Sequence, residues 1–226
     1  MKNLTIAFVF SLVLSSVGFA ADSSTAYFEP AGISITEEVP TAEDIAASYL
    51  EPSQNPSDFW DGAQAMEWGT MVLIGEKVIE IVKAGAPVVD IKRTAVSVVP
   101  AGVLGWNQLS GWQAPVAKIY NVVVTNGLGM NVVDLRLKVS AMWGGNLMGR
   151  GQYLANVLVV PTNTRVLWGW NLDLWSENGE PVNTGTFEQP RAGLGFDIRY
   201  RMKTYLNELN GAQDFFVTGD GQISQL

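Results

Sequence analysis

The chain has 226 residues, 47% hydrophobic and 16% charged, with a net charge of −8, the composition of a globular protein and not of a disordered one. It holds 0 Cys and 0 His, which excludes disulfide staples, thiol redox chemistry, Ser-His and Cys-His nucleophile pairs, and His- or Cys-ligated zinc, copper or haem. What chemistry is left must run on carboxylates, Lys, Tyr or an all-oxygen metal site, and no motif implies a cofactor or a metal.

Residues 1–20 read as a secretory signal peptide: Lys2, an apolar run from Leu4 to Leu14, then a small-residue exit with Gly18 and Ala20 flanking the cleavage position. The apolar run is shorter than the about 20 residues of a spanning helix. The mature chain is expected to begin at Ala21, outside the cytoplasm, in the periplasm or beyond the cell, with association with the outer membrane left open. No integral span is expected in it, and without Cys it carries no lipid anchor.

Charge is segregated after that point. From Ala21 to Glu76 there are eleven acids and no Lys or Arg, whereas Lys77 onward holds eleven acids and thirteen bases. Residues 21–57 form an acidic arm punctuated by Pro30, Pro40, Pro52 and Pro56. The arm reads as weakly structured and solvated, with docking on a basic surface, its own or another protein's, as the sharper reading. One short helix is expected where Thr41 and Asp44 bracket a first turn. No basic cluster exceeds Arg199 to Lys203, so nucleic acid is not an expected partner.

Residues 58–86 read as one long helix. Ser57 or Asp58 caps it, Met71, Ile74, Val78, Ile81 and Val82 recur at helical spacing, and Gly85 with Pro87 ends it. From residue 88 to 226 the period is two. Strands are expected at Val88–Val99, Val116–Thr125, Val132–Trp143, Gln152–Val160, Arg165–Trp175, Phe196–Leu206 and Asp214–Thr218. Asn126-Gly127 marks a hairpin. Such short connections demand antiparallel pairing. The expected fold is therefore mainly β: an antiparallel β-sandwich or meandering sheet of six or seven strands, preceded by the helix and the acidic arm.

The eight Trp are the compositional outlier. Leu167-Trp168-Gly169-Trp170 sets two indoles on one face of an expected strand, and Trp106 and Trp112 lie in a Gly-rich loop. Trp106, Trp112, Trp170 and Trp175 are the candidate binding aromatics, while Trp143 and Trp168 read as core. Gly144 to Gly151 superficially resembles a phosphate loop, but a strand follows it and not a helix, so it reads as a hairpin turn. Glu177, Glu180 and Glu188 lie in loops where a hydrolytic carboxylate pair would be needed, and Asp220-Gly221 lacks the alternating ligands of a calcium loop.

The sequence thus points to an exported, non-catalytic cell-envelope domain that binds or scaffolds a glycan or protein partner. A carboxylate-dependent hydrolase acting on an envelope polymer is the first alternative. A small outer-membrane β-barrel is the second.

Overall fold

The stretch read as one long helix is instead two strands. In the computed structural model, which describes residues 23–46, 48, 67–87 and 95–226, β2 runs Glu67–Ile74 and β3 runs Val78–Lys83. Residues 58–66, where that helix was to start, lie outside the described residues, as do the signal sequence and residues 88–94 of the first expected strand. Gly75 turns the chain between β2 and β3 with φ +128°, a conformation that excludes side-chain-bearing residues. Burial along β3 then follows period two, Ile79 and Ile81 inward and Val78 and Glu80 outward, until a register shift brings Val82 in as well. Val72, Ile74, Val78, Ile79, Ile81 and Val82 are all β-branched, and their stiff χ1 favours a pleated surface over a helix.

The arm is also more ordered than its composition suggests. After a single helical turn, α1 (Ser23–Tyr27), β1 covers Pro30–Glu38. It pairs antiparallel with β6 (Gln113–Asn126), setting Ile33 opposite Val124 and Ile35 opposite Val122. The short helix α2 (Ala42–Ala46) follows with the expected reciprocal cap, Thr41 N–H donating to Asp44 and Asp44 N–H to Thr41 Oγ1.

The remaining strands are β4 (Ala86–Pro87), β5 (Val96–Ala101), β7 (Asn131–Leu147), β8 (Arg150–Val166), β9 (Asn171–Asn178), β10 (Val182–Asn183), β11 (Ala192–Lys203), β12 (Glu208–Thr218) and β13 (Ile223–Gln225). The thirteen strands among the described residues exceed the six or seven expected because the arm and the supposed helix contribute three and short edge pieces another three. They form two antiparallel sheets, as the short turns demanded. Sheet A has the order β1-β6-β7-β8-β5-β2, and sheet B the order β13-β12-β11-β9-β3-β4 with β10 beside β11. The expected single strand Arg165–Trp175 is divided by a turn at Leu167–Trp170. Conversely, β8 continues through Pro161, which sits beside a register shift where a lost ladder donor is tolerated.

One core lies between the sheets, with Val98, Leu135, Val139 and Leu154 of sheet A facing Ile81, Leu174, Leu194 and Phe196 of sheet B. Tyr120 and Phe215 meet edge-on across it at 5.1 Å, and Phe215 stacks on Phe196 at 5.4 Å. Among the described residues, backbone hydrogen bonds stitch the sheets at one end. There Gly144 N–H donates to Gly219 O and Gln152 N–H to Pro190 O.

The acidic arm is docked on basic side chains of its own sheet, Arg136 and Lys138 on the outer face and Lys118 at the edge of the inner one. Glu37 pairs with Lys118 at 3.0 Å, Glu38 with Arg136 at 3.3 Å, and Asp44 takes two bonds from Arg136 at 2.9 and 3.0 Å. Lys138, 3% exposed, donates to the Asp44 carbonyl. Burial lowers the proton affinity of this ammonium while the nearby Asp44 carboxylate supports it.

Candidate functional site: two aromatic surfaces

The four candidate tryptophans fall in three separate places. Trp106 and Trp112 meet edge-to-face at 5.9 Å in the loop between β5 and β6, both half-buried against the core. Trp112 lies flat on the backbone at Gly145, and its Nε1–H is buried without a partner. Ser110 and Asn146 pin this loop to β7 through two backbone bonds. Trp170 is 7% exposed and belongs to the core.

Trp175 stands on the outer face of sheet B, half-buried, its Nε1–H donating to Glu177 at 2.9 Å. Glu80 and Arg199 are its cross-strand neighbours, and Arg199 pairs in turn with Glu177 at 3.1 Å and Asp197 at 3.0 Å. This is an aromatic ring framed by charged hydrogen-bonding groups.

Among the described residues, the most exposed aromatic is one the sequence assigned to the core. Trp168 is 84% exposed, because the turn between β8 and β9 lifts it off any strand face. Gly169 occupies that turn at φ +81°, and a Cβ there would stand 2.5 Å from the Phe28 ring. The glycine between the two tryptophans was the signal for this turn. Tyr27 donates its hydroxyl to the Trp168 carbonyl at 2.9 Å, and Phe28 O accepts from Thr204 at 3.1 Å and Asn207 at 3.3 Å. Phe28 meets Tyr205 at 4.4 Å and Trp168 at 6.3 Å. Tyr205 and Leu206, on the turn between β11 and β12, are exposed, as are Leu128 and Met130 on the β6–β7 turn, which is tied to α1 through Gly127 N–H and Ala26 O. An apolar tip results, its backbone clamped and its side chains uncovered. Comparison with protein families, with curated proteins and with solved structures finds no match to this chain.

Elsewhere, three of the candidate carboxylates have cationic partners. Glu177 faces Arg199, Glu180 pairs with Lys77 at 2.8 Å, and Asp220 pairs with Arg191 at 3.1 Å. The carboxyls of Asp44, Asp173, Glu180 and Glu208 are held below their ordinary range, Asp173 first by the Ala84 N–H and the others first by hydrogen bonds from Arg136, Lys77 and Lys203. A general acid for glycoside cleavage needs displacement the other way. Among the described residues no three acidic, His or Cys side chains gather in a way that could hold a metal ion. The Gly144–Gly151 stretch is a hairpin end. Its Arg150 lies over the rings of Trp68 at 5.0 Å and Phe187 at 5.7 Å and donates to the Phe187 and Glu188 carbonyls, which leaves it little freedom to hold phosphate.

Proposed function

We propose that this chain is an exported, non-catalytic β-sandwich of the cell envelope that binds a protein partner through the tip carrying Trp168 and Tyr205. The observation that carries the reading is a pair of exposed aromatics on turns whose backbone is already fixed. Trp and Tyr in such positions add large contact area at low ordering cost, the usual makeup of an interface hot spot. Export is supported by the signal-type sequence at residues 1–20. The non-catalytic reading draws on the pairing of Glu177 and Glu180 with Arg199 and Lys77. No helix among the described residues is long and apolar enough to cross a membrane. Two open sheets whose outer faces carry pairs such as Arg201–Asp173 also favour a sandwich over a membrane barrel, whose outer face is apolar. A glycan reading rests on Trp175, whose charged frame suits a sugar ring better than the tip does.

A photo-crosslinking residue at position 168, introduced in cells, tests this. It should give a discrete protein adduct that the same probe at exposed Asn163 does not give, and Tyr205→Ala should reduce its yield at least tenfold. Absence of an adduct, with retention of the chain on an envelope glycan that Trp175→Ala abolishes, would replace the protein reading by the glycan one.

A further inference from the structure

In the half of the sandwich towards the tip, no backbone hydrogen bond joins the two sheets among the described residues, and the Leu167–Trp170 turn carries the chain from one to the other. The backbone stitches between the sheets lie at the opposite end, and β13 with Leu226 covers Asp214–Val217 of β12, leaving Glu208–Gln213 as a free edge among the described residues. Facing it is β1, which among the described residues pairs on one side. Among the described residues no hydrogen bond joins β1 to β12. Between these two edges lies a cavity of about 50 Å³, walled by apolar side chains such as Ile35, Val122, Leu135, Leu174 and Ile198. It follows the inner face from Tyr120 to Val124, roughly 13 Å at the rise of a strand.

One polar atom in its wall is anomalous. Tyr120 is 1% exposed, and its hydroxyl has no hydrogen-bond partner. Native proteins rarely leave such a group unmatched, and a persistent case calls for an explanation. Burial, and after it the charge of Glu37, pushes its proton affinity up, so it remains a neutral donor at any physiological pH. Glu37 is its register partner, and Lys118 lies two residues along on the same inner face. The polar end of the cavity is therefore at Tyr120, and the apolar end runs towards Val124 and Met202.

We propose that this cavity binds an acyl chain, with the Tyr120 hydroxyl donating to the carboxyl or ester oxygen and the hydrocarbon tail running between the sheets towards Val124. A linear chain fits because the space is long, narrow and walled mostly by apolar side chains, with the unpartnered Tyr120 hydroxyl at one end. The cavity holds a few carbons as it stands, and the half-exposed Ile33, Ile35 and Gln213 at its mouth give way for the rest. The site is separate from the tip surface and does not depend on it.

Titration calorimetry on the mature chain, with dodecanoate below its micelle concentration and with a twelve-carbon lysophosphatidylcholine, tests the assignment. Tighter binding of the first marks a free acid as the ligand, and of the second a lipid chain. Tyr120→Phe keeps the ring and removes the donor, and should weaken the preferred probe about tenfold, the loss of one hydrogen bond. Ile35→Trp, at the mouth, should weaken it at least as much, whereas Trp168→Ala should leave it unchanged. No binding of either probe, binding by Tyr120→Phe equal to that of the parent, or a loss produced only by Trp168→Ala overturns the proposal. Tyr120→Phe is nearly isosteric, so it decides the matter even if Ile35→Trp does not fold.

Discussion

Removing the Asp44 carboxylate should unlatch the acidic arm. Its side chain is 11% exposed and accepts two bonds from Arg136 as well as the N–H and hydroxyl of Thr41. Hydrogen bonds to charged groups contribute about 1.5–3 kcal/mol, and breaking a buried ion pair costs about 3–5 kcal/mol. Arg136 keeps Glu38 and is one-quarter exposed, so water and that second acid recover part of the loss. Asp44→Ala is therefore expected to cost about 2–3 kcal/mol, including about 1 kcal/mol for the lost helix cap. Urea denaturation read by Trp fluorescence measures the change, and limited proteolysis of residues 23–46 reports whether the arm lifts. pH gives a second readout. Arg136, then the Thr41 N–H, depresses the folded-state affinity of Asp44 for its proton. Its stabilisation is accordingly full above the unfolded carboxylate value near pH 4 and is lost as pH falls through the lower folded value. Asp44→Asn should flatten that acid limb. A stability within about 0.5 kcal/mol of the parent, with unchanged proteolysis, would refute the latch.

Two further substitutions probe the core. Ile81 is fully buried on β3, so Ile81→Asp should cost several kcal/mol by stranding a carboxylate between the sheets, measurable as a lowered denaturation midpoint; a neutral result would mean β3 does not pack there. Tyr120→Phe, without ligand, should be neutral or stabilise by about 1 kcal/mol, because it removes a buried hydroxyl that has no partner. A clear loss of stability would reveal a bond to that hydroxyl in the free protein.

The sequence was most readable where contacts are local. Asn126 caps its own hairpin, accepting from the Leu128 and Met130 N–H groups, and the alternation of Leu135, Leu137 and Val139 against Asp134 and Arg136 marks β7 directly. Thr41 and Asp44 are three residues apart, so their cap was visible too. It failed where one spacing serves two structures. Met71, Ile74, Val78, Ile81 and Val82 fit a helical stripe, yet they divide between two strands in different sheets, and the β-branching of the last four was the better guide. β1 was hidden because Gly32, Ser34 and Glu37 dilute a short alternation. Nothing local shows that Asp44 meets Arg136, 92 residues away. Trp168 was misplaced because Gly169, read as part of a strand, in fact makes the turn that exposes it. Tyr120 carried no signal at all, since an unpartnered hydroxyl is a property of packing.

The pairing of β1 sets the order in which the chain can fold as it is made. β1 is synthesised early, but Ile33 waits for Val124, Asp44 for Arg136, and Phe28 for Thr204. More than half the polypeptide must exist before the latch can close, and nearly all of it before α1 is seated. Loop closures this long are slow compared with local turns. The acidic arm therefore remains strongly anionic and without its partner strand until β6 has been made, and Phe28 is seated only after β11 has followed.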